Sequence, residues 1–102
     1  MDLRQNSYGY AIGVTCYQAD GTTAFDFTGY TVTLKAWAPG APGTVVFSGS
    51  CTVSGTGNNI ASYVVQTTDL ATVALLEAEI QAVRSGVIVK FQPFDIKVKE
   101  AA

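Results

Sequence analysis

The sequence predicts an all-β fold: an immunoglobulin-like β-sandwich of about seven antiparallel strands. Runs of alternating apolar and polar residues recur at roughly 8 to 12-residue spacing, with Gly, Pro, Asn or Asp between them, as in sandwiches. The chain has 102 residues, of which 48% are hydrophobic. That length suits one domain with one core, so residues 1–102 are assigned to a single sandwich.

The first strand is expected at residues 7–17, where large or apolar side chains occupy the even positions. Asp20-Gly21 then signals a turn. In FDFTGYTVTLKAW (25–37), Gly29 tolerates a left-handed corner and Asp26 can accept backbone N–H groups there. The strand that follows turns Val32, Leu34 and Ala36 to one face.

Residues 38–44 contain two Ala-Pro-Gly units and are expected to form a loop, because proline fixes φ and lacks a donor. A strand over residues 45–53 follows, with Gly49 on the parity of its apolar side chains. The residues GTGNN (55–59) indicate a turn, and residues 60–67 are predicted to form a further strand.

Residues 73–84 fit two structures. Ala, Leu, Glu and Gln favour a helix, whereas strict alternation over 76–82 favours a strand. A two-residue turn at Ser85-Gly86 would pair Ile80 with Phe91 and Gln81 with Lys90, so that apolar and polar pairs separate onto two faces. This consistency favours the strand, with at most one short helical turn near 68–74, capped by Thr68 or Asp69.

The last strand changes parity along its length. Val87, Val89 and Phe91 are odd, whereas the later apolar residues Phe94, Ile96 and Val98 are even. One extra residue would let both sets face the core, and we expect a β-bulge at Gln92-Pro93, where proline is tolerated.

The composition argues against several partners. The net charge is −2 and the six basic residues are scattered, so no basic stripe exists for a nucleic acid. No run of ~18 apolar residues could span a membrane, and the polar N-terminus lacks a signal sequence. Only 14% of residues are charged, against about 25% in an average domain, which suggests a surface partly covered by a partner.

Catalysis and metal binding are not expected. The chain has no histidine, the commonest general base, and no cysteine cluster for zinc. Glu77 and Glu79 would share one strand face, where solvation explains them better than glycoside hydrolysis. Asp20, Asp26 and Asp69 could approach calcium at the loop end, but turn chemistry accounts for Asp20 and Asp26. No cofactor is predicted.

The cysteines and two aromatic residues leave alternatives open. Cys16 and Cys51 could form one disulfide or remain two buried thiols. Tyr17 and Trp37 fall on the polar parity of their strands. Each could anchor a protein interface or stack on a sugar, and Trp37 could instead cover the end of the core.

Much of the chain resembles the immunoglobulin-like N-terminal domain of the phage baseplate upper protein. The resemblance rests on residues 5–55, on TTDL (67–70), and on EAEIQ (77–81) before PFDIKV (93–98). Residues 71–76 depart from it, because such domains more often carry Pro-Gly-x-Tyr before the acidic strand.

The resemblance implies a non-enzymatic structural protein of a tailed-phage virion, in the tail, baseplate, neck or capsid surface. Its partners would be other virion proteins or copies of itself, in a homo- or hetero-oligomer, and its location the virion after synthesis in the host cytoplasm. A carbohydrate-binding or adhesin module is the alternative, since fold does not decide function. Loops and arms are the expected interface, and the candidate residues are Leu3, Arg4, Tyr17, Trp37, Pro39, Pro42, Lys97 and Lys99.

Overall fold

The structure, a computed structural model, describes residues 1–100 and contains nine β-strands in two sheets, with no helix in that range. The strands are β1 (Asp2–Arg4), β2 (Ala11–Thr15), β3 (Thr31–Trp37), β4 (Val45–Ser50), β5 (Thr52–Ser54), β6 (Ile60–Val64), β7 (Ala74–Arg84), β8 (Val87–Lys90) and β9 (Phe94–Lys99). The predicted all-β sandwich is confirmed.

The strand order is that of an immunoglobulin-like sandwich. One sheet has the order β1-β9-β7-β3-β4, with β8 also paired to β7, and the other has the order β2-β6-β5. Cys51 lies between β4 and β5, and its N–H still donates to Val32 O of the larger sheet, at 2.8 Å. The chain therefore passes from one sheet to the other at this residue.

The β7–β8 hairpin has the predicted register. Gln81 pairs with Lys90 and Ala82 with Val89. Ser85 and Gly86 form the turn, with φ values of 41° and 83°, as the tight hairpin turns that match strand twist require. Residues 74–84 are therefore strand. The short helical turn expected just before them is absent, and residues 67–70 form a hydrogen-bonded turn instead.

The predicted bulge lies between β8 and β9. The Phe91 N–H donates to Ile80 O at 3.0 Å, whereas Phe94 pairs with Ala78. Two residues, Gln92 and Pro93, therefore lie opposite the single residue Glu79. The extra residue keeps Ile96 and Val98 facing the core, where they are 0% and 3% exposed.

Nine strands are present where about seven were expected, and three features of the structure contribute to the larger number. Residues 45–54 divide at the sheet crossing, and residues 87–99 divide at the bulge. In addition, β1 pairs parallel with β9, so the sandwich is not wholly antiparallel. The first predicted strand is also shorter than expected: Tyr8 and Tyr10 lie outside β2 and are exposed.

The two ends of the sandwich differ in their loops. What we call the hairpin end holds the Ser85-Gly86 turn and residues 16–30 and 55–59, and Phe27 N–H donates to Asn58 O there at 2.9 Å. At the opposite end, which we call the proline end, residues 38–44 join β3 to β4, and residues 65–73 join β6 to β7.

Tyr63 is the side chain around which the core is assembled. It is 3% exposed, and its ring stacks on Phe47 of the opposite sheet with centroids 5.7 Å apart. Its hydroxyl donates to Asp69 Oδ2, which also accepts the Gln66 N–H at 2.9 Å. Gly49 makes room for this ring, since a Cβ there would lie 2.6 Å from Tyr63 Cε1.

Gly49→Ala is expected to destabilise the fold by about 1–3 kcal/mol, because the new methyl group overlaps a ring held on both sides. Gly43→Ala is the matched control: its Cβ would meet no atom within 4 Å and its φ is outside the left-handed region. The control should change stability by less than about 0.5 kcal/mol. Urea denaturation of both variants measures the difference, and equal midpoints would contradict this account of the core.

Tyr63→Phe is expected to lower the free energy of unfolding by about 1 kcal/mol at neutral pH, since Asp69 loses a hydrogen bond. Burial, then the bond to Asp69, raises the pKa of Tyr63 above its usual value of 10.0. The stabilisation is therefore complete below pH 10 and is lost as pH rises toward the folded-state pKa. Denaturation from pH 7 to 11 should show the gap between wild type and variant narrowing. Tyr17→Phe, altered at a 46% exposed ring, is the control; a gap constant with pH would be inconsistent.

Candidate interaction surfaces

The loop at the proline end consists of two consecutive β-turns. Ala41 N–H donates to Ala38 O at 3.0 Å, and Thr44 N–H donates to Ala41 O at 2.9 Å. In each turn the proline, Pro39 or Pro42, is the second residue, where its fixed φ is favourable. Both prolines are exposed, as an interface loop requires.

Trp37 does not present a free ring to a partner. It shares the outer-face parity of Lys35, but only 6% of its surface is exposed, and Lys35 Nζ lies 5.7 Å from its ring centroid. The ladder between β3 and β4 shifts register at Ala36 and Trp37. Of the alternatives left open for Trp37, the one in which it covers the end of the core fits this burial. A sugar platform at Trp37 is thereby removed.

The four candidate residues near the termini lie together. β1 pairs with β9 so that Leu3 lies opposite Val98 and Arg4 opposite Lys99. Lys99 Nζ lies 3.0 Å from Asp2 Oδ2, and its hydrogen bond and charge lower the pKa of that exposed carboxyl. The N-terminal arm and the last strand, which sequence reasoning treated as two contacts, form one sheet edge. We call these paired residues, 2–4 and 97–99, the β1–β9 edge.

Tyr17 lies at the opposite end of the sandwich from the other seven candidates. It is 46% exposed and forms an isolated bridge with Ala24. It borders an open cleft of about 1190 Å³ between β2, residues 16–30 and the β7–β8 hairpin. Polar residues in the lining include Gln18, Gln92, Arg84 and Lys90. We call this the hairpin cleft.

An aromatic cluster forms one wall of the hairpin cleft. Phe25 packs against Tyr30 and Phe91, with ring centroids 5.4 and 5.0 Å apart. The Arg84 guanidinium lies 4.5 Å from the Tyr30 ring centroid, a cation–π arrangement. No carboxylate in residues 1–100 lies within 4.0 Å of Arg84 or Lys90. The wall therefore combines stacking surface with uncompensated positive charge.

The tip of the β7–β8 hairpin is apolar and exposed, a feature that sequence reasoning missed. Val83 and Ile88 lie opposite each other and are 36% and 61% exposed. Val87, which follows the turn, is 47% exposed. The alternation of side chains along β8 could have indicated this exposure, because Ile88 falls between Val87 and Val89 and must face outward. We call these three residues the hairpin patch.

The carboxylates are engaged in turns or turned to solvent. Asp20 accepts hydrogen bonds from Thr22 and Thr23, and Asp26 accepts two from Thr28, which lower the pKa of each carboxyl. The predicted turn roles are confirmed. Glu77 and Glu79 share the outer face of β7, as expected of a strand. Residues 1–100 contain no group of three or more His, Cys, Asp or Glu that could hold a metal ion.

Both cysteines are free thiols, one of the two alternatives left by the sequence. Cys16 is buried beside Asn59, the residue before β6, to whose carbonyl its N–H donates at 2.8 Å, and Cys51 lies at the sheet crossing. Burial raises the pKa of each thiol to about 11. The thiolate is therefore scarce at neutral pH, and neither cysteine has the lowered pKa of a reactive nucleophile.

The fold and surfaces together define an immunoglobulin-like sandwich with an apolar hairpin tip and an aromatic cleft at one end. Within residues 1–100 no helix has the length and apolarity needed to cross a membrane. No protein-family model matches the chain, and no curated protein matches it significantly.

Proposed function

We propose that this protein is a non-enzymatic structural component of a tailed-phage virion that acts by binding other virion proteins or copies of itself. The hairpin patch is the observation that carries the proposal. Val83, Val87 and Ile88 are exposed together on a hairpin fixed by a tight turn. Covering them would remove apolar surface from water at little cost in ordering, because the hairpin is already formed.

Two further features support contact with proteins. The loop of residues 38–44 presents two exposed prolines held in β-turns, and the β1–β9 edge ends the larger sheet with a strand of only three residues. The charged fraction of 14% is low for a surface that is wholly solvated. The resemblance of residues 5–55, 67–70, 77–81 and 93–98 to the baseplate domain supplies the virion context.

Ile88→Ser is expected to reduce incorporation into tailed-phage particles by about tenfold or more, because a central apolar contact commonly contributes that much. Val64→Ser is the matched control, since Val64 is 45% exposed on β6, in the other sheet. Quantitative blotting of particles purified from cells expressing each variant measures incorporation. Absence of the wild-type chain from intact particles, or equal incorporation of both variants, would contradict the proposal.

A carbohydrate-binding module is the second candidate, and the hairpin cleft favours it. Tyr17 offers a half-exposed ring, and the lining adds Gln92 and Arg84 as hydrogen-bond donors. Stacking aromatics with convergent polar groups is the usual composition of a sugar site. A sugar site in this cleft would lie at the end of the sandwich opposite Trp37.

Tyr17→Ala separates the two functions. If the chain binds glycans, this variant should lose about tenfold or more of its affinity on a glycan array, because stacking on the ring is lost. The structural function predicts no glycan binding by the wild type and normal incorporation of Tyr17→Ala into particles. Tyr8→Ala, changed at a 59% exposed ring outside the cleft, is the control for nonspecific loss.

A further inference from the structure

One side of the sandwich has no strand joining its two sheets. β2 ends the smaller sheet and pairs only with β6. In that ladder Cys16 N–H donates to Asn59 O and Val65 N–H donates to Tyr10 O. The backbone N–H and C=O groups of the even residues of β2 therefore point toward β6. By the alternation of antiparallel pairs, the N–H and C=O groups of Ala11, Gly13 and Thr15 point away from the sheet, toward an unpaired edge.

The opposite wall of this side is formed by residues 89–95. A groove bordered by Gly13, Val14 and Thr15 on one wall has Met1, Gln92, Phe94 and Asp95 on the other. It shares Val14, Thr15 and Gln92 with the hairpin cleft, so groove and cleft are continuous. Val14, Phe91 and Phe94 are only partly buried against the core here.

We infer that this groove receives an extended segment of a partner protein, which adds as a strand antiparallel to β2 and carries acidic residues at its N-terminal end. The inference rests on the proposed function, a module that binds proteins, and specifies the partner's chemistry. The added strand would pair with the outward groups of Ala11, Gly13 and Thr15, and its inward side chains would cover Val14, Phe91 and Phe94. A strand that matches the five residues of β2 is about 17 Å long.

Charge indicates which end of the antiparallel strand is acidic. β2 runs toward the hairpin end, so an antiparallel partner begins there, beside Arg84 and Lys90. Both cations lack a carboxylate within 4.0 Å in residues 1–100, and they outnumber Asp26, the one carboxylate in the same lining. At the other end of the groove the Met1 ammonium donates to Asp95 O at 3.3 Å, so one charge of each sign lies there. Acidic residues at the start of the segment therefore meet the larger excess of positive charge.

The probe is a capped peptide of alternating valine and threonine that begins with two aspartates, titrated into the isotopically labelled protein. Saturating peptide should slow amide hydrogen exchange at Ala11, Gly13 and Thr15 by about tenfold or more, because these groups become hydrogen-bonded. The same peptide with lysines in place of the aspartates should bind about tenfold more weakly. Protection of Ile88 and Lys90 in place of the β2 amides would overturn the assignment of the edge.

Two kinds of variant test the groove. Gly13→Pro removes an outward N–H without removing a bond to β6 and should weaken peptide binding by about tenfold. Arg84→Gln combined with Lys90→Gln should weaken it similarly, whereas Lys35→Gln, an equal loss of charge per site on the outer face of β3, should change it less than about twofold. If Gly13→Pro does not fold, the charge variants and the lysine peptide decide.

Four other outcomes test this inference separately from the proposed function. Absence of peptide binding overturns this inference, and incorporation into particles would then leave the proposed function standing. Peptide binding by a chain that is absent from particles contradicts the virion function alone. Self-association of the wild type that Gly13→Pro abolishes, without peptide binding, would identify a second copy as the occupant and overturn the inference. Binding of an acidic glycan in place of the peptide would also overturn it.

Discussion

The contact between Tyr63 and Gly49 sets the spacing between the two sheets, because it places an aromatic ring of one sheet directly against the backbone of the other. The ring also stacks on Phe47, two residues from Gly49. β4 therefore contacts Tyr63 of β6 through the large side chain of Phe47 and through the bare backbone of Gly49. The hydroxyl then ties β6 to Asp69 in the segment leading to β7. Three stretches distant in sequence are thereby fixed relative to one another, and the remaining apolar residues pack around them.

The crossing at Cys51 and the path of β1 together leave one side of the sandwich open. On the crossing side, β4 and β5 form a nearly continuous chain that links both sheets. On the other side, β1 covers only residues 97–99 of β9 and leaves β8 and β2 without outer neighbours. Unpaired edges attract other strands. The short length of β8, its lysine and the bulge beside it reduce that hazard, whereas β2 has five residues and no charge.

Local patterns predicted the parts of this fold that local chemistry decides. The register of the β7–β8 hairpin followed from parity around Ser85-Gly86, and the bulge at Gln92-Pro93 followed from a parity change. β1 could not be predicted, since a three-residue strand has no periodicity and its partner lies more than ninety residues away. The burial of Trp37 and the position of Arg84 over Tyr30 depend on how loops fold over the sheet. Strand parity alone therefore leaves burial undecided at the ends of the sheets, where tertiary packing overrides it.

The outer face of the larger sheet limits where partners can bind. Its central rows carry Thr33, Lys35, Glu77, Glu79 and Gln81, polar side chains that are half-buried among one another. Such a face resists stacking against another sheet, because its polar and charged groups would lose water without matched partners. Apolar side chains exposed on this face occur at its ends, Leu75 toward the proline end and Val83 with Ile88 at the hairpin end. Contacts that bury apolar surface are consequently favoured at the ends and edges of this sheet, while its outer face stays solvated.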